Sequence, residues 1–104
     1  MTENVKLVWF VPREALDPTR EAVFAAGAGR IGNYEKCSFY TDGTGTYLGG
    51  KGTNPTVGQA GREKRALELR VETVVPRDRV DAVVAALKAA HPYEEVAYDL
   101  YPLL

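Results

Sequence analysis

The 104-residue sequence contains one cysteine, one histidine and no excess of charge of either sign. The single cysteine excludes a disulfide within the chain and, without a signal-peptide pattern, favours the cytoplasm. A formal net charge of -1 offers no basic surface for phosphate backbones, so we expect no nucleic-acid binding. No apolar run approaches the ~20 residues that cross a bilayer, so we expect no membrane span. This length and composition predict one domain over residues 1–104.

An internal repeat predicts the fold. The stretch VWFVPRE resembles VETVVPRD, and NYEKCSFY resembles PYEEVAYD. Each half therefore reads as strand, helix and strand, with Val80, Val83 and Leu87 at amphipathic helical spacing in the second half. Right-handed crossovers then predict an α+β, ferredoxin-like βαββαβ fold, in which a four-stranded antiparallel sheet carries two helices on one face.

Two local expectations concern the first half of the chain. Asp17 is expected to cap the first helix, with Pro18 at its first position. The second strand is expected over residues 31–41, with Phe39 facing the helices and Tyr40 facing away.

The sheet face opposite the helices has no covering element in the predicted fold. It is expected to carry these apolar residues: Val8, Phe10, Tyr34, Tyr40, Ala97 and Tyr101. Exposed aromatic patches usually mark an interface, so we expect a homo-oligomer that assembles through this face or through the sheet edges.

Seven of the ten glycines lie in residues 41–61, and residues 41–63 are expected to form a long glycine-rich loop. Within it, GTYLGGKG resembles a phosphate-binding loop but lacks the Ser or Thr that binds magnesium. GAGRIG has dinucleotide-binding spacing, but follows a helix and precedes a strand, the reverse of a Rossmann unit. The loop is either an inert hairpin or a ligand- and partner-sensing segment. In the second case Gly49, Gly50 and Lys51 would hold an anion.

The remaining polar candidates follow the two helices. His91 either caps the second helix as a cation or, with Glu94 and Glu95, binds a divalent metal such as zinc or copper. One chain has only one imidazole, so such a site would need ligands from neighbouring subunits. Tyr34 and Glu35 occupy the places in the first half that Tyr93 and Glu94 occupy in the second, where they either pack at strand starts or contact a ligand. No residue set predicts catalysis, and a non-enzymatic role is favoured.

Long stretches in order resemble one known family: GAGRIGNYEKCSFYTDGTGTY, GTNPTVGQAGREK, ELRVETVVP and HPYEEVAYDLYPL. They are similar to the domain inserted in bacterial proteins of the NIF-three-like family, of the YqfO type. The resemblance implies a fold like that of PII signalling proteins and CutA, which are typically trimeric. In PII proteins the loop corresponding to residues 41–63 senses nucleotides and contacts partner proteins, and CutA has been linked to divalent metals.

The same resemblance limits the functional prediction. The family's two-metal domain, with its histidine and carboxylate ligands, has no counterpart in this sequence, so no hydrolase or cyclohydrolase activity is transferred. The resemblance therefore implies a ligand-binding or regulatory module. A metal-binding protein of the CutA sort, with a site near His91 formed across subunits, is the alternative.

Overall fold

The computed structural model of the protein describes residues 3–52 and 61–104. In chain order its elements are β1 (Asn4–Val11), a 3₁₀ turn (Arg13–Ala15), α1 (Leu16–Ala25), β2 (Ser38–Leu48), β3 (Glu63–Pro76), a second 3₁₀ turn (Arg77–Arg79), α2 (Val80–Ala90) and β4 (Tyr98–Pro102). The four strands form one sheet in the order β2-β3-β1-β4, and every neighbouring pair is antiparallel. This arrangement confirms the ferredoxin-like prediction.

The sequence repeat has a structural counterpart at the end of β1 and β3. Pro12 and Pro76 each precede a 3₁₀ turn that leads directly into a helix. The predicted cap at Asp17 is wrong, because the 3₁₀ turn delivers the chain into α1 at Leu16. Asp17 instead pairs with Arg20, and Pro18 lies in the first helical turn, where its missing N–H costs nothing.

The hydrophobic core fills the space between the sheet and the two helices. On the sheet side it contains alternate residues of β1 and β3, which include Leu7, Trp9, Leu69 and Val71. Trp9 is fully buried, and its indole N–H donates to the Thr19 hydroxyl over 3.1 Å. Thr19 in turn donates to the Ala15 carbonyl oxygen of the 3₁₀ turn, so this buried polar chain ties β1 to the start of α1.

The second strand begins later than predicted and presents the opposite residues. Residues 31–37 form a turn, in which the backbones of Ile31 and Tyr34 bond to each other, and β2 starts at Ser38. Phe39 lies opposite Glu72, whereas Tyr40 lies opposite the buried Val71. Tyr40 therefore faces the helices and Phe39 faces away. Such an inversion follows from the period of two in a strand, because a slip of one residue exchanges the faces.

Residues 41–48 and Glu63 of the predicted loop are strand, and residues 53–60 lie outside the part of the chain that the structure describes. β2 continues to Leu48 and β3 begins at Glu63, so these strands pair beyond Val11, where β1 ends. We call residues 43–48 and 63–68 the arm. Its six residue pairs extend the sheet by about 20 Å, which accounts for the 46 × 23 × 23 Å dimensions. Leu67 lies on the arm and is 83% exposed.

We call the sheet face opposite the helices the open face. It carries these residues of all four strands: Lys6, Val8, Phe10, Phe39, Arg70, Glu72 and Tyr101. Val8 is nevertheless buried, because a Lys6–Glu72 ion pair and Arg70, which lies over the Phe10 ring, surround it. In the part of the chain that the structure describes, no helix is long and apolar enough to cross a membrane.

Candidate ligand site at the root of the arm

His91 joins the end of α2 to the end of β1. Its backbone N–H still bonds to the Leu87 carbonyl of α2, while its ring turns inward and is buried. The Nε2 atom lies 2.7 Å from the Phe10 carbonyl oxygen, and Nδ1 accepts the Tyr93 backbone N–H over 3.1 Å. A carbonyl can only accept, so Nε2 carries the proton and the ring is neutral. Burial lowers the pKa of His91 below its ordinary value.

This geometry bears on both sequence interpretations of His91. His91 occupies the C-cap position of α2, as expected. The expectation that its ring is a cation is wrong, because the ring is neutral and bonds to β1 rather than to the last carbonyls of α2. Both ring nitrogens already have partners, so neither offers a free lone pair to a metal. Glu94 and Glu95 are exposed, and residues 3–52 and 61–104 contain no group of three potential ligands. A metal site completed by a second subunit stays a prediction.

Tyr93 leads from His91 to the arm. Its ring meets the His91 ring edge-on at 5.0 Å between centroids and lies 6.5 Å from the Tyr47 ring of β2. The Tyr93 hydroxyl donates a hydrogen bond to the Glu68 carboxylate of β3. Burial, followed by the negative charge of Glu68 and this hydrogen bond, raises the pKa of Tyr93 to about 12.

A glycine on the neighbouring strand makes room for Glu68. A Cβ atom added at Gly45 would lie 1.7 Å from Glu68 Oε1, so the carboxylate occupies space that any other residue would fill. Gly43, directly opposite Glu68, has only an ordinary 3.9 Å contact at its own Cβ position. Glycine inside a strand often marks such a close approach. We call Glu68, Tyr47, Tyr93 and His91 the Glu68 cluster.

The structure separates the predicted ligand-binding residues into three places. Tyr93 and His91 lie in the Glu68 cluster at the root of the arm. Gly49, Gly50 and Lys51 lie past the last β2–β3 pair, at the far end of the arm. The resemblance of Gly45 to Gly52 to a phosphate loop has no structural basis at its start, because residues 45–48 are strand.

Tyr34 and Glu35 lie at the opposite end of the sheet. Their turn is attached there by the Gly29 backbone N–H, which donates to the Val74 carbonyl oxygen. The two βαβ halves run antiparallel, so equivalent positions of the repeat fall at opposite ends of the sheet. Tyr34 is 77% exposed, and Glu35 pairs with Arg30 over 3.7 Å at the edge of a surface depression of about 280 Å³.

Sequence reasoning missed Glu68 and Tyr47. The signal was present in TDGTGTY, where glycine and threonine alternate with the period of a strand before Tyr47. The glycine content of this stretch favours a loop, whereas its alternation favours the strand that the structure contains. Glu68 itself alternates with the apolar residues of β3, as any residue on the polar face of a strand does.

Comparisons with known proteins find similar sequences within longer chains. The chain is 52% identical over 103 residues to a protein of Halalkalibacterium halodurans named "GTP cyclohydrolase 1 type 2 homolog", covering 98% of this chain and 28% of that protein. A Bacillus subtilis protein of the same name is 43% identical, with 94% and 26% covered. The chain thus spans about a quarter of the length of these relatives. No protein-family model matches the chain.

Solved structures agree with the fold. A Bacillus cereus protein related to NIF3 superposes with a TM-score of 0.85 at 44% identity, covering 97% of this chain and 26% of that one. The CutA protein of Archaeoglobus fulgidus, described as a periplasmic divalent cation tolerance protein, superposes with a TM-score of 0.71 at 13% identity. That match covers 96% of this chain and 83% of CutA, and at such low identity it establishes the fold alone.

Proposed function

We propose that this chain, which belongs to the NIF-three-like family and spans the CutA/PII-like segment of that family's proteins, is a non-enzymatic ligand-binding or regulatory module. The observation that carries this proposal is the Glu68 cluster. It places a carboxylate, two phenols and an imidazole together beside the arm, and one phenol has a strongly raised pKa. Perturbed groups of this kind concentrate at functional sites. The ligand contacts the cluster. Lys51, which lies past the end of the arm, either responds to the bound ligand or contacts a protein partner.

We propose further that the module is a homo-oligomer, with a trimer favoured, assembled through the open face. Phe39 and Tyr101 on that face are 65% and 44% exposed, and Phe10 lies between their strands. Lys6, which is paired with Glu72, adds polar contacts that a second copy can meet. Apolar residues with interspersed ion pairs are typical of subunit interfaces. A cytoplasmic location is part of this proposal and rests on the single cysteine.

Metal binding is the second candidate function, since CutA is named for divalent cation tolerance. The geometry of His91 favours it less than ligand binding, because a metal would have to displace either the Phe10 or the Tyr93 hydrogen bond. Zinc or copper would then need ligands from another subunit beside Glu94 or Glu95.

A thermal-shift experiment at fixed protein concentration tests the ligand-binding role. The probes are ATP, zinc chloride and copper chloride. A ligand of the native state stabilises it by about 2.7 kcal/mol at a hundredfold excess over Kd. We expect a rise in Tm that Glu68→Gln or Lys51→Ala reduces. Lys88→Ala, at an exposed position of α2 outside the cluster, should leave the rise unchanged. A zinc- or copper-induced rise that His91→Ala abolishes would favour the metal function. No rise with any of these probes, together with no binding of a primary amine measured by NMR, would contradict both functions.

Light scattering after size exclusion tests the assembly. Phe39→Lys places a cation opposite Glu72, which a monomer tolerates but a packed interface does not. Tyr34→Lys is the matched control, because it changes an aromatic that is even more exposed but lies on the turn at residues 31–37. We expect the first variant alone to lower the mass. An unchanged mass in Phe39→Lys, or a monomeric parent protein, would refute assembly through the open face.

A further inference from the structure

Glu68 is half-buried and has no cationic partner among the described residues. In residues 3–52 and 61–104 the ion pairs use Asp17, Glu21, Glu35, Asp42 and Glu72. Glu68 takes part in none of them, and its polar contact is the Tyr93 hydroxyl. His91, the nearest basic side chain in the cluster, is held neutral by its two hydrogen bonds. The cluster therefore carries a negative charge that this part of the chain does not neutralise.

The walls of the cluster are aromatic. The Tyr47 and Tyr93 rings are inclined at 53° to each other, with their centroids 6.5 Å apart, and the His91 ring closes one side. The faces of such rings attract cations, and most strongly where water is partly excluded. Gly45 adds no side chain here, so the Glu68 carboxylate lies close against β2, within hydrogen-bonding reach of the Tyr93 hydroxyl.

The hydrogen-bonding groups of the cluster are mainly acceptors. The Tyr93 hydroxyl gives its proton to Glu68 and keeps oxygen lone pairs, and the second carboxylate oxygen of Glu68 can also accept. The His91 N–H is already used by the Phe10 carbonyl. A ligand that suits these groups must bring both positive charge and several N–H donors.

We propose that the Glu68 cluster binds the primary ammonium group of a ligand, with the three N–H donors directed at Glu68 and the Tyr93 oxygen and the charge placed against the tyrosine rings. This inference rests on the proposed ligand-binding function and names the chemical class that the site takes. The ammonium group comes either from a small-molecule amine or from a lysine side chain, which present the same chemistry.

The test is an amide chemical-shift titration of the intact protein by NMR. The probes are n-butylammonium, the neutral n-butanol as its isostere, and Nα-acetyl-lysine amide. We expect saturable shifts at the amides of Gly45, Glu68 and Tyr93 with both amines and none with butanol. Glu68→Gln should raise Kd by roughly tenfold or more, since one charged hydrogen bond has that effect. Glu63→Gln, on the same strand but opposite Leu48, should leave Kd unchanged.

The outcomes separate this inference from the proposed function. Tighter binding of the lysine amide than of butylammonium assigns the ammonium group to a protein side chain, and equal or weaker binding assigns it to a free amine. Equal shifts with butanol, or equal Kd values for Glu68→Gln and the parent, would overturn the inference. If ATP or a metal raises Tm while neither amine binds, the inference fails and the ligand-binding function stands. Unperturbed remote amides in Glu68→Gln show that the variant is folded.

Discussion

The substitution Gly45→Ala should disconnect Glu68 from Tyr93 without unfolding the protein. The new Cβ would lie 1.7 Å from Glu68 Oε1 and 2.7 Å from its Cδ atom, so the carboxylate must swing away. Only the flexible end of a side chain has to move, and the backbone pairing of β2 with β3 is kept. The Tyr93 hydroxyl then loses its hydrogen bond and part of the negative potential that holds its proton.

The magnitude can be worked from the contributions to the pKa of Tyr93. A hydrogen bond to a charged group contributes about 1.5–3 kcal/mol, and one pKa unit corresponds to about 1.36 kcal/mol. Tyr93 is only half-buried, so solvent screening reduces this contribution and the expected fall is about 1 unit. The pKa should start from about 12 and stay above the ordinary 10.0, because burial, its largest cause, is unchanged.

The assay is a pH titration of the protein carrying tyrosine labelled with ¹³C at Cζ, which resolves each phenol, with Tyr93→Phe to assign the signal. Gly43→Ala is the matched control, since its Cβ would make only an ordinary 3.9 Å contact. An unchanged pKa of Tyr93 in Gly45→Ala would refute the reasoning, as would an equal fall in Gly43→Ala.

Two further predictions concern buried hydrogen bonds. Thr19→Val should lower the free energy of unfolding by about 1–3 kcal/mol, because the buried Trp9 N–H loses its acceptor. Thr19→Ser keeps the hydroxyl and should retain most of the stability. Urea denaturation measures both variants, and equal stability of the two would contradict the role of the Thr19 hydroxyl as the acceptor. His91 has a pKa lowered from 6.5 in the folded state, so its contribution to stability is present above pH 6.5 and is lost as the pH falls through the folded pKa. The free energy of unfolding should therefore decrease on acidification below that pH, and His91→Gln should remove this part of the dependence. A parallel pH profile in the variant would show that other groups are responsible.

The fold could be predicted because its determinants are local and repeated. The alternation of Leu7, Trp9 and Val11 identifies a half-buried strand, and the spacing of Val83 and Leu87 identifies one face of a helix. The two Val-Pro-Arg segments mark the same strand-to-helix transition twice. Chain connectivity then leaves few ways to assemble two βαβ units. The face of β2 could not be predicted, because its orientation depends on where the preceding turn releases the chain.

The candidate site was predicted only in part, through His91 and Tyr93. Both follow a helix at a recognisable break, so their position could be read from the sequence. Glu68 and Tyr47 lie 23 and 44 residues earlier in the chain than His91, and nothing local connects them to it. Only the pairing of β2 with β3 beyond the end of β1 brings them to Tyr93.

The sequence by itself therefore determined the order of strands and helices, the core-facing residues of β1, β3 and α2, and the ferredoxin-like topology. Those properties follow from hydrophobic periodicity, which each segment carries within itself. The tertiary structure alone decided that His91 is neutral, that Gly45 serves as the floor for a carboxylate, and that a glycine-rich stretch is a strand. Each of these depends on a neighbour from a distant part of the chain, since proton positions, close approaches and strand pairing are set by contacts.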